Sequence, residues 1–311
     1  MKTISIIIPL YNEEEGVDFL VAELNKYFGE VHNFKIEIIF VNDGSSDKTF
    51  EKITNANHIS YKALLCNFSK NYGSHAALRA GILNATGDYI CFLYADLQDP
   101  IELIDQLYNR IELGFQIVWA KRKKVQSAFF EKKFSQFYAW LMQKYVNRSF
   151  PEQGFDIVMF SKNVAHELNK NIENNSSIFL HILTLGFKQD SVEYDKQERT
   201  FGKSKWTVSK KIKLLIDSFV AFSFAPIRFV SIIGLLFFLA GFGLSFYIII
   251  RKLLFNDLAS GWPALISTLL LGFGITNISL GVIAEYLWRT LDASRKRPVF
   301  IIENIIELNH T

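Results

Sequence analysis

Two long stretches without a charged side chain constrain this chain more than anything else in it: residues 229–250, 22 positions, and 258–284, 27 positions. Either exceeds the roughly 20 apolar residues that carry a helix across the hydrocarbon core of a bilayer. A buried core helix is the soluble alternative, and two such lengths in tandem argue against it. The pair predicts a membrane hairpin with helices at 229–250 and 263–288. Six basic residues lie in 203–228 and four in 289–300, against two in 251–262. By the positive-inside rule both chain ends face the cytoplasm, which makes the expected location the cytoplasmic (inner) membrane with more than one pass.

The opening "MKTISIIIPLYNEEE" is too short in its apolar part, and too quickly followed by acids, for a signal peptide. Residues 1–205 therefore read as a cytosolic domain, and 289–311 as a cytosolic tail. From 206 to 228, Lys210, Lys211 and Lys213 alternate with Trp206, Ile212, Leu215, Ile216 and Phe219, the pattern of an amphipathic helix in the membrane interface. A net charge of +3, with its basic residues beside the apolar runs, excludes nucleic acid and favours the lipid bilayer as the anionic partner. Two cysteines, both in strand-like runs, suggest neither a disulfide framework nor zinc.

The cytosolic part alternates β-rich runs at 4–9, 36–41, 62–68, 89–95 and 115–120 with helix-like segments. That predicts an α/β domain with a mostly parallel sheet covered on both faces. A helix is expected over 126–147, and short strands over 155–160 and 190–194. In such sheets ligands sit beyond the carboxyl ends of the strands, so "PLYNEEE", "VNDGSSD", "NFSKNYG", "YADLQDP" and "AKRKK" carry the functional information.

In "YADLQDP", Asp99, Pro100 and Glu102 read as a helix start with a capping box. Asp96 and Gln98 fall outside that reading, and two residues apart in an extended chain they share a side. A carboxylate and an amide oxygen suit a hard cation, Mg²⁺ or Mn²⁺, whose other ligands are water and substrate phosphate. In "VNDGSSDKT", Ser46 reads as the N-cap of the next helix. Asp43 reads either as an acceptor for a nucleobase or ribose or as a turn-stabilising carboxylate. Gly73 and Gly81 do not form a dinucleotide fingerprint.

Six segments in order, "IIIPLYNEEE", "FVNDGSSDKT", "NFSKNYGSHAALRAGILNATGDY", "ADLQDP", "RTFGKSKW" and "AEYLWRTLDASRKRPVFII", resemble the family 2 glycosyltransferases that load a sugar onto polyprenyl phosphate. The resemblance implies a GT-A (Rossmann-like) nucleotide-sugar domain and inverting transfer from a UDP- or GDP-sugar to polyprenyl phosphate. It also implies that Pro9, Tyr11, Glu13 and Asp43 surround the nucleotide and that Asp96 and Gln98 hold the metal on its diphosphate. Asp156, in "QGFDIVMFSK", matches the catalytic aspartate. Arg122, Arg199, Ser204 and Lys205 match basic and polar positions near the diphosphate and the acceptor phosphate, with Arg199 and Lys205 counted as catalytic. A homo-oligomer is compatible with the family.

Two positions depart from the family pattern. Tyr94 stands where many relatives have the first aspartate of an Asp-x-Asp pair, and a phenol with a pKa of about 10 supplies no anionic oxygen at neutral pH. Lys70 replaces an arginine and gives up the planar fork. The expected product is a lipid-linked hexose, from UDP-glucose or a related UDP-sugar, for cell-envelope glycan. The alternatives are a GDP-mannose-using transferase and an inactive accessory protein. A processive synthase would be expected to carry a Q-x-x-R-W motif and further spans.

Overall fold

A computed structural model describes residues 1–123, 129–151, 155–170, 176–197, 208–223, 225–255, 261–295 and 297–308. Two compact units are formed, residues 1–218 with 298–311, and residues 219–297.

The first unit is built on a mixed eight-stranded sheet, ordered β7-β5-β6-β4-β1-β2-β3-β8. Strands β1 (Lys2–Leu10), β2 (Phe34–Asn42), β3 (Lys62–Phe68) and β4 (Tyr89–Phe92) form a parallel core with β1 between β2 and β4. These runs are apolar at consecutive positions because both faces are covered. Ile4, Ile6 and Ile8 of β1 join Leu20 and Leu24 of α1 (Val17–Phe28) and Leu107 of α4 (Leu103–Glu112) in one core. Ile7, pointing the other way, packs on α3 (Ser74–Asn84). There a Cβ on Gly81 would come within 2.2 Å of the Ile7 side chain, so only glycine allows that approach.

The expectation of a mostly parallel sheet holds for the core and fails beyond it. β6 (Phe155–Ser161) runs antiparallel to both β4 and β5 (Ile117–Arg122), and β7 (Gln189–Tyr194) continues parallel to β5. At the opposite edge β8 (Ile302–Glu307), which follows both apolar runs in sequence, pairs antiparallel with β3. The expected strand 89–95 ends at Phe92, and the chain turns soon after, with the Leu97 amide donating to the Tyr94 carbonyl (3.2 Å). Helix α5 covers Phe129–Tyr145, within the expected 126–147.

The capping readings are corrected. Helix α4 begins at Leu103 after turns closed by Leu103 and Ile104 amides on the Pro100 and Ile101 carbonyls, and Glu102 makes no side-chain cap bond. Helix α2 (Thr49–Asn55) is capped by Asp47 rather than Ser46: the Asp47 carboxylate accepts the Thr49 amide (3.0 Å) and hydroxyl (2.6 Å). Burial raises the pKa of that carboxyl, but these bonds outweigh burial and hold it below its ordinary value.

The expected interfacial helix over 206–228 is divided. Helix α8 (Val208–Phe222) ends before Ser223, whose hydroxyl accepts the amide of Ala225 at the start of α9 (Ala225–Phe255), with Pro226 in the first turn. Helix α10 covers Trp262–Ser294. Both α9 and α10 are long and apolar enough to cross a membrane, over Ala225–Gly243 and Leu271–Asp292. Neither stretch is buried, and Phe229, Leu236, Phe273 and Ile278 stand exposed, unlike the side chains of a core helix.

Candidate active site

The strand order reverses at β1, whose neighbours β2 and β4 carry crossovers to opposite sides, so a crevice opens at the carboxyl ends of these strands. Loops on the β1–β2 side form one rim of it, and loops after β4, β5 and β7 form the other.

On the first rim, Pro9 lies in β1 beside Val41, and Tyr11 and Glu13 follow the strand, both half-buried. Between them Asn12 sits at φ 51°, a left-handed conformation that asparagine tolerates better than most residues. The loop is tied to the one after β2. The Asn12 amide donates to Ser45 Oγ (3.0 Å), the Ser46 amide to Asn12 Oδ1 (2.8 Å), and the Glu13 amide to Thr49 Oγ1 (2.7 Å). Asp43 is 3% exposed, and its two oxygens accept the amides of Tyr72 (2.6 Å) and Gly73 (2.9 Å). Asp43 thus has the stabilising role read from the sequence, across loops rather than within a turn. Gly44 makes the approach possible: it has φ 63°, and a Cβ there would lie 2.3 Å from the Lys70 carbonyl carbon. Lys70 places its ammonium 5.1 Å from the centre of the Tyr72 ring.

The second rim is a cluster of ionisable side chains. Tyr94 and Asp96 follow β4, Arg122 ends β5, and Tyr194 ends β7 directly across from Arg122. Asp99 is 1% exposed. It accepts a hydrogen bond from the Tyr194 hydroxyl and lies 3.7 Å from the Lys196 ammonium, while its Oδ2 is buried without a hydrogen-bond partner. Burial first, then the charges of Asp99 and Asp96, push the Tyr94 hydroxyl far above its usual range against the opposing charge of Arg122, so it is a neutral phenol. Burial likewise raises Tyr194, with Asp99 adding to it and Arg122 opposing. Lys196 is pulled down by burial, and Asp99 opposes that shift.

Asp96 and Gln98 meet at this rim, but not through an extended strand. Leu97 has φ 46° and its amide donates to the Tyr94 carbonyl (3.2 Å), so the segment is a turn. Gln98 is held by Gln197: its Nε2 donates to the Gln197 carbonyl (3.3 Å), and its own carbonyl accepts the Gln197 amide (2.8 Å). Among the described residues no three His, Cys, Asp or Glu side chains are placed to hold a metal. A carboxylate and a side-chain amide on one turn are hard oxygen donors of the kind Mg²⁺ or Mn²⁺ accepts.

Because β6 runs antiparallel, its first residues are level with the carboxyl end of β5. Phe155 pairs with Lys121, and the backbone of Asp156 follows at the irregularity between Ala120 and Lys121. Arg199, Ser204 and Lys205 lie outside the described residues. Sequence reasoning missed Tyr194 and Lys196 as members of the site and misread Asp99. The available signal was their place at or just beyond a strand end, but that strand was expected only as a short, unplaced segment.

A mixed sheet with its strand order reversing at β1, rimmed by a loop cradle on one side and by carboxylates and cations on the other, is an α/β domain of the GT-A type. Residues 5–179 match the family described as glycosyl transferase family 2, and the chain belongs to that family. It is similar to a prophage bactoprenol glucosyl transferase homolog of Escherichia coli (strain K12), 33% identical over 304 residues covering 97% of this chain and 99% of the relative. An undecaprenyl-phosphate 4-deoxy-4-formamido-L-arabinose transferase of Photorhabdus laumondii is 32% identical, covering 100% of this chain and 96% of its own. An uncharacterized glycosyltransferase of Bacillus subtilis (strain 168) is 32% identical over 96% of this chain and 93% of its own.

Proposed function

We propose that this protein transfers a hexose from a nucleotide sugar, UDP-glucose or a related UDP-sugar, to polyprenyl phosphate at the cytoplasmic face of a membrane, with inversion at the anomeric carbon. The observation that carries the reading is the extent of similarity to the bactoprenol glucosyl transferase homolog: 97% of this chain, its two exposed apolar helices included, aligns with 99% of that protein.

In this reading an oxygen of the lipid phosphate attacks the anomeric carbon from the face opposite the nucleotide. The carbon–oxygen bond to the diphosphate breaks, and its electron pair leaves with the nucleoside diphosphate. A phosphate monoester, with a second pKa of about 6, is already mostly ionised at pH 7. Asp156 is therefore assigned to orient the acceptor or stabilise positive charge on the sugar, not to remove a proton. Arg122 and Lys196 are assigned to the negative charge that develops on the leaving diphosphate, where a preorganised cation acts without reorganisation. Arg199, Ser204 and Lys205 are assigned to the acceptor phosphate. Neutralisation of the leaving diphosphate is the chemistry that Mg²⁺ or Mn²⁺ held by Asp96 and Gln98 supplies when bound. Asp43, its oxygens already on two amides, reaches a nucleotide only through its remaining lone pairs.

The basic residues flanking α9 and α10 support a hairpin with both ends of the chain in the cytoplasm. The long prenyl chain then stays in the bilayer while its phosphate meets a tethered site, which raises the effective concentration. The test is full-length protein in nanodiscs with polyprenyl phosphate and a panel of labelled UDP- and GDP-sugars. Lipid-linked product from a UDP-sugar, lost on adding EDTA, is expected. Turnover undiminished by EDTA overturns the metal assignment. Nucleotide binding with no lipid product from any donor replaces the enzyme by an inactive accessory protein.

A further inference from the structure

The first rim is connected to the far edge of the sheet by side-chain hydrogen bonds that all run in one direction. The Asn12 amide donates to Ser45 Oγ (3.0 Å), and the Ser45 hydroxyl donates to Asn42 Oδ1 (2.5 Å). Asn42 Nδ2 then donates to Asn67 Oδ1 (2.7 Å), and Asn67 Nδ2 to Glu303 Oε2 (3.3 Å). Each asparagine accepts on its oxygen and donates from its nitrogen, and the chain ends on a carboxylate, which only accepts. Bonds aligned this way polarise one another toward the anion. The run lines an open hollow of ≈ 660 Å³ that none of Tyr11, Asp96 or Arg122 lines, so it lies outside the crevice proper.

Glu303 belongs to β8, on the segment that follows both apolar helices in sequence. That segment is held on β3 by several independent contacts. The Ser69 amide donates to the Ile301 carbonyl (3.3 Å) and the Leu308 amide to the Ala63 carbonyl (3.0 Å), and the Phe68 and Phe300 rings stack at 5.3 Å. At the other end of the run, Asn12 holds a left-handed conformation between Tyr11 and Glu13.

We infer that Glu303 is a positioning residue for the donor nucleotide. Resting on the proposed function, the inference is that the segment after the apolar helices sets the β1 loop through Asn67, Asn42 and Ser45, and so sets donor affinity without touching the donor. With Glu303 removed, Asn67 and Asn42 are free to turn over, and the loop that carries Tyr11 and Glu13 is left to its remaining ties, from the Ser46 amide and to Thr49 Oγ1.

The experiment is titration of full-length protein in nanodiscs with UDP and GDP, alongside donor KM, kcat and thermal unfolding. Glu303→Ala is expected to weaken nucleotide binding and raise donor KM about fivefold, roughly one net hydrogen bond, with kcat at saturating donor unchanged. Glu303→Gln, whose amide oxygen still accepts, restores the parent values. Asn67→Asp, which sets two carboxylates against each other, has a larger effect than Glu303→Ala. Glu307→Ala, an exposed carboxylate on the same strand outside the run, leaves KM unchanged. Parent-like affinity in Glu303→Ala, whatever its melting temperature, overturns the inference, as does an equal loss in Glu307→Ala. A parent that binds neither nucleotide overturns the functional reading and the inference with it.

Discussion

The two rims of the crevice use carboxylates in opposite ways. On the β1–β2 side, Asp43 and Asp47 spend their oxygens on backbone amides, so the loops are fixed before any ligand arrives. On the β4–β7 side, Asp99 is buried among Tyr194 and Lys196 with one oxygen unsatisfied, and Asp96, Tyr94 and Arg122 crowd the same space. A rim fixed by neutral backbone donors suits recognition of a constant group. A rim of mutually interacting charged side chains suits a place where charge arrives and changes during the reaction.

Substitutions can break that contrast. The largest effect belongs to the reactive rim: Asp96→Asn is expected to lower lipid-linked product about 100-fold or more, measured as label extracted into organic solvent, with little change in melting temperature. If Asp96→Asn instead melts early and keeps its turnover, the rims are alike.

Next is an acid sensitivity of the fixed rim. His75, in the first turn of α3 just beyond the Asp43 clamp, has its pKa lowered from 6.5 to about 4, by burial and then by the charge of Arg79. Between those values the unfolded chain binds a proton that the folded chain refuses. Stability therefore falls as pH drops through that window, by about 3 kcal/mol in all, and is flat above it. Denaturant titrations from pH 7 to pH 4 measure the loss, and His75→Phe removes most of the slope above pH 5, leaving the part near pH 4 that belongs to Asp47 and other depressed carboxyls.

Asp43→Asn leaves one of the two clamped amides facing an NH₂ group and is expected to lower unfolding free energy by about 2 kcal/mol. Tyr194→Phe, on the reactive rim, is expected to destabilise by only about 1 kcal/mol, because Lys196 still faces Asp99. Urea midpoints for the two variants side by side rank the rims.

The parallel core and the apolar helices were legible because each rests on a local signal: continuous apolar runs for β1 to β3, and uncharged length for α9 and α10. The site was legible as a set of strand ends but not as geometry. Asp99 has the sequence context of a helix cap, yet a tyrosine 95 positions away takes its carboxylate. Asp96 and Gln98 were brought together by a left-handed Leu97, a conformation no side-chain pattern announces in a leucine. β8 went unread because it is a half-exposed edge strand with charged ends, whose place is set by β3 rather than by its own periodicity.

That pairing has a consequence for biosynthesis. β3 is made before residue 70 and its partner only after residue 300, with both apolar helices between them. Through most of translation β3 therefore presents an open edge, the kind of surface on which nascent chains pair wrongly. The sheet is completed only once the hydrophobic part of the chain has left the ribosome, so a ribosome stalled within the apolar helices releases a domain with an unprotected flank.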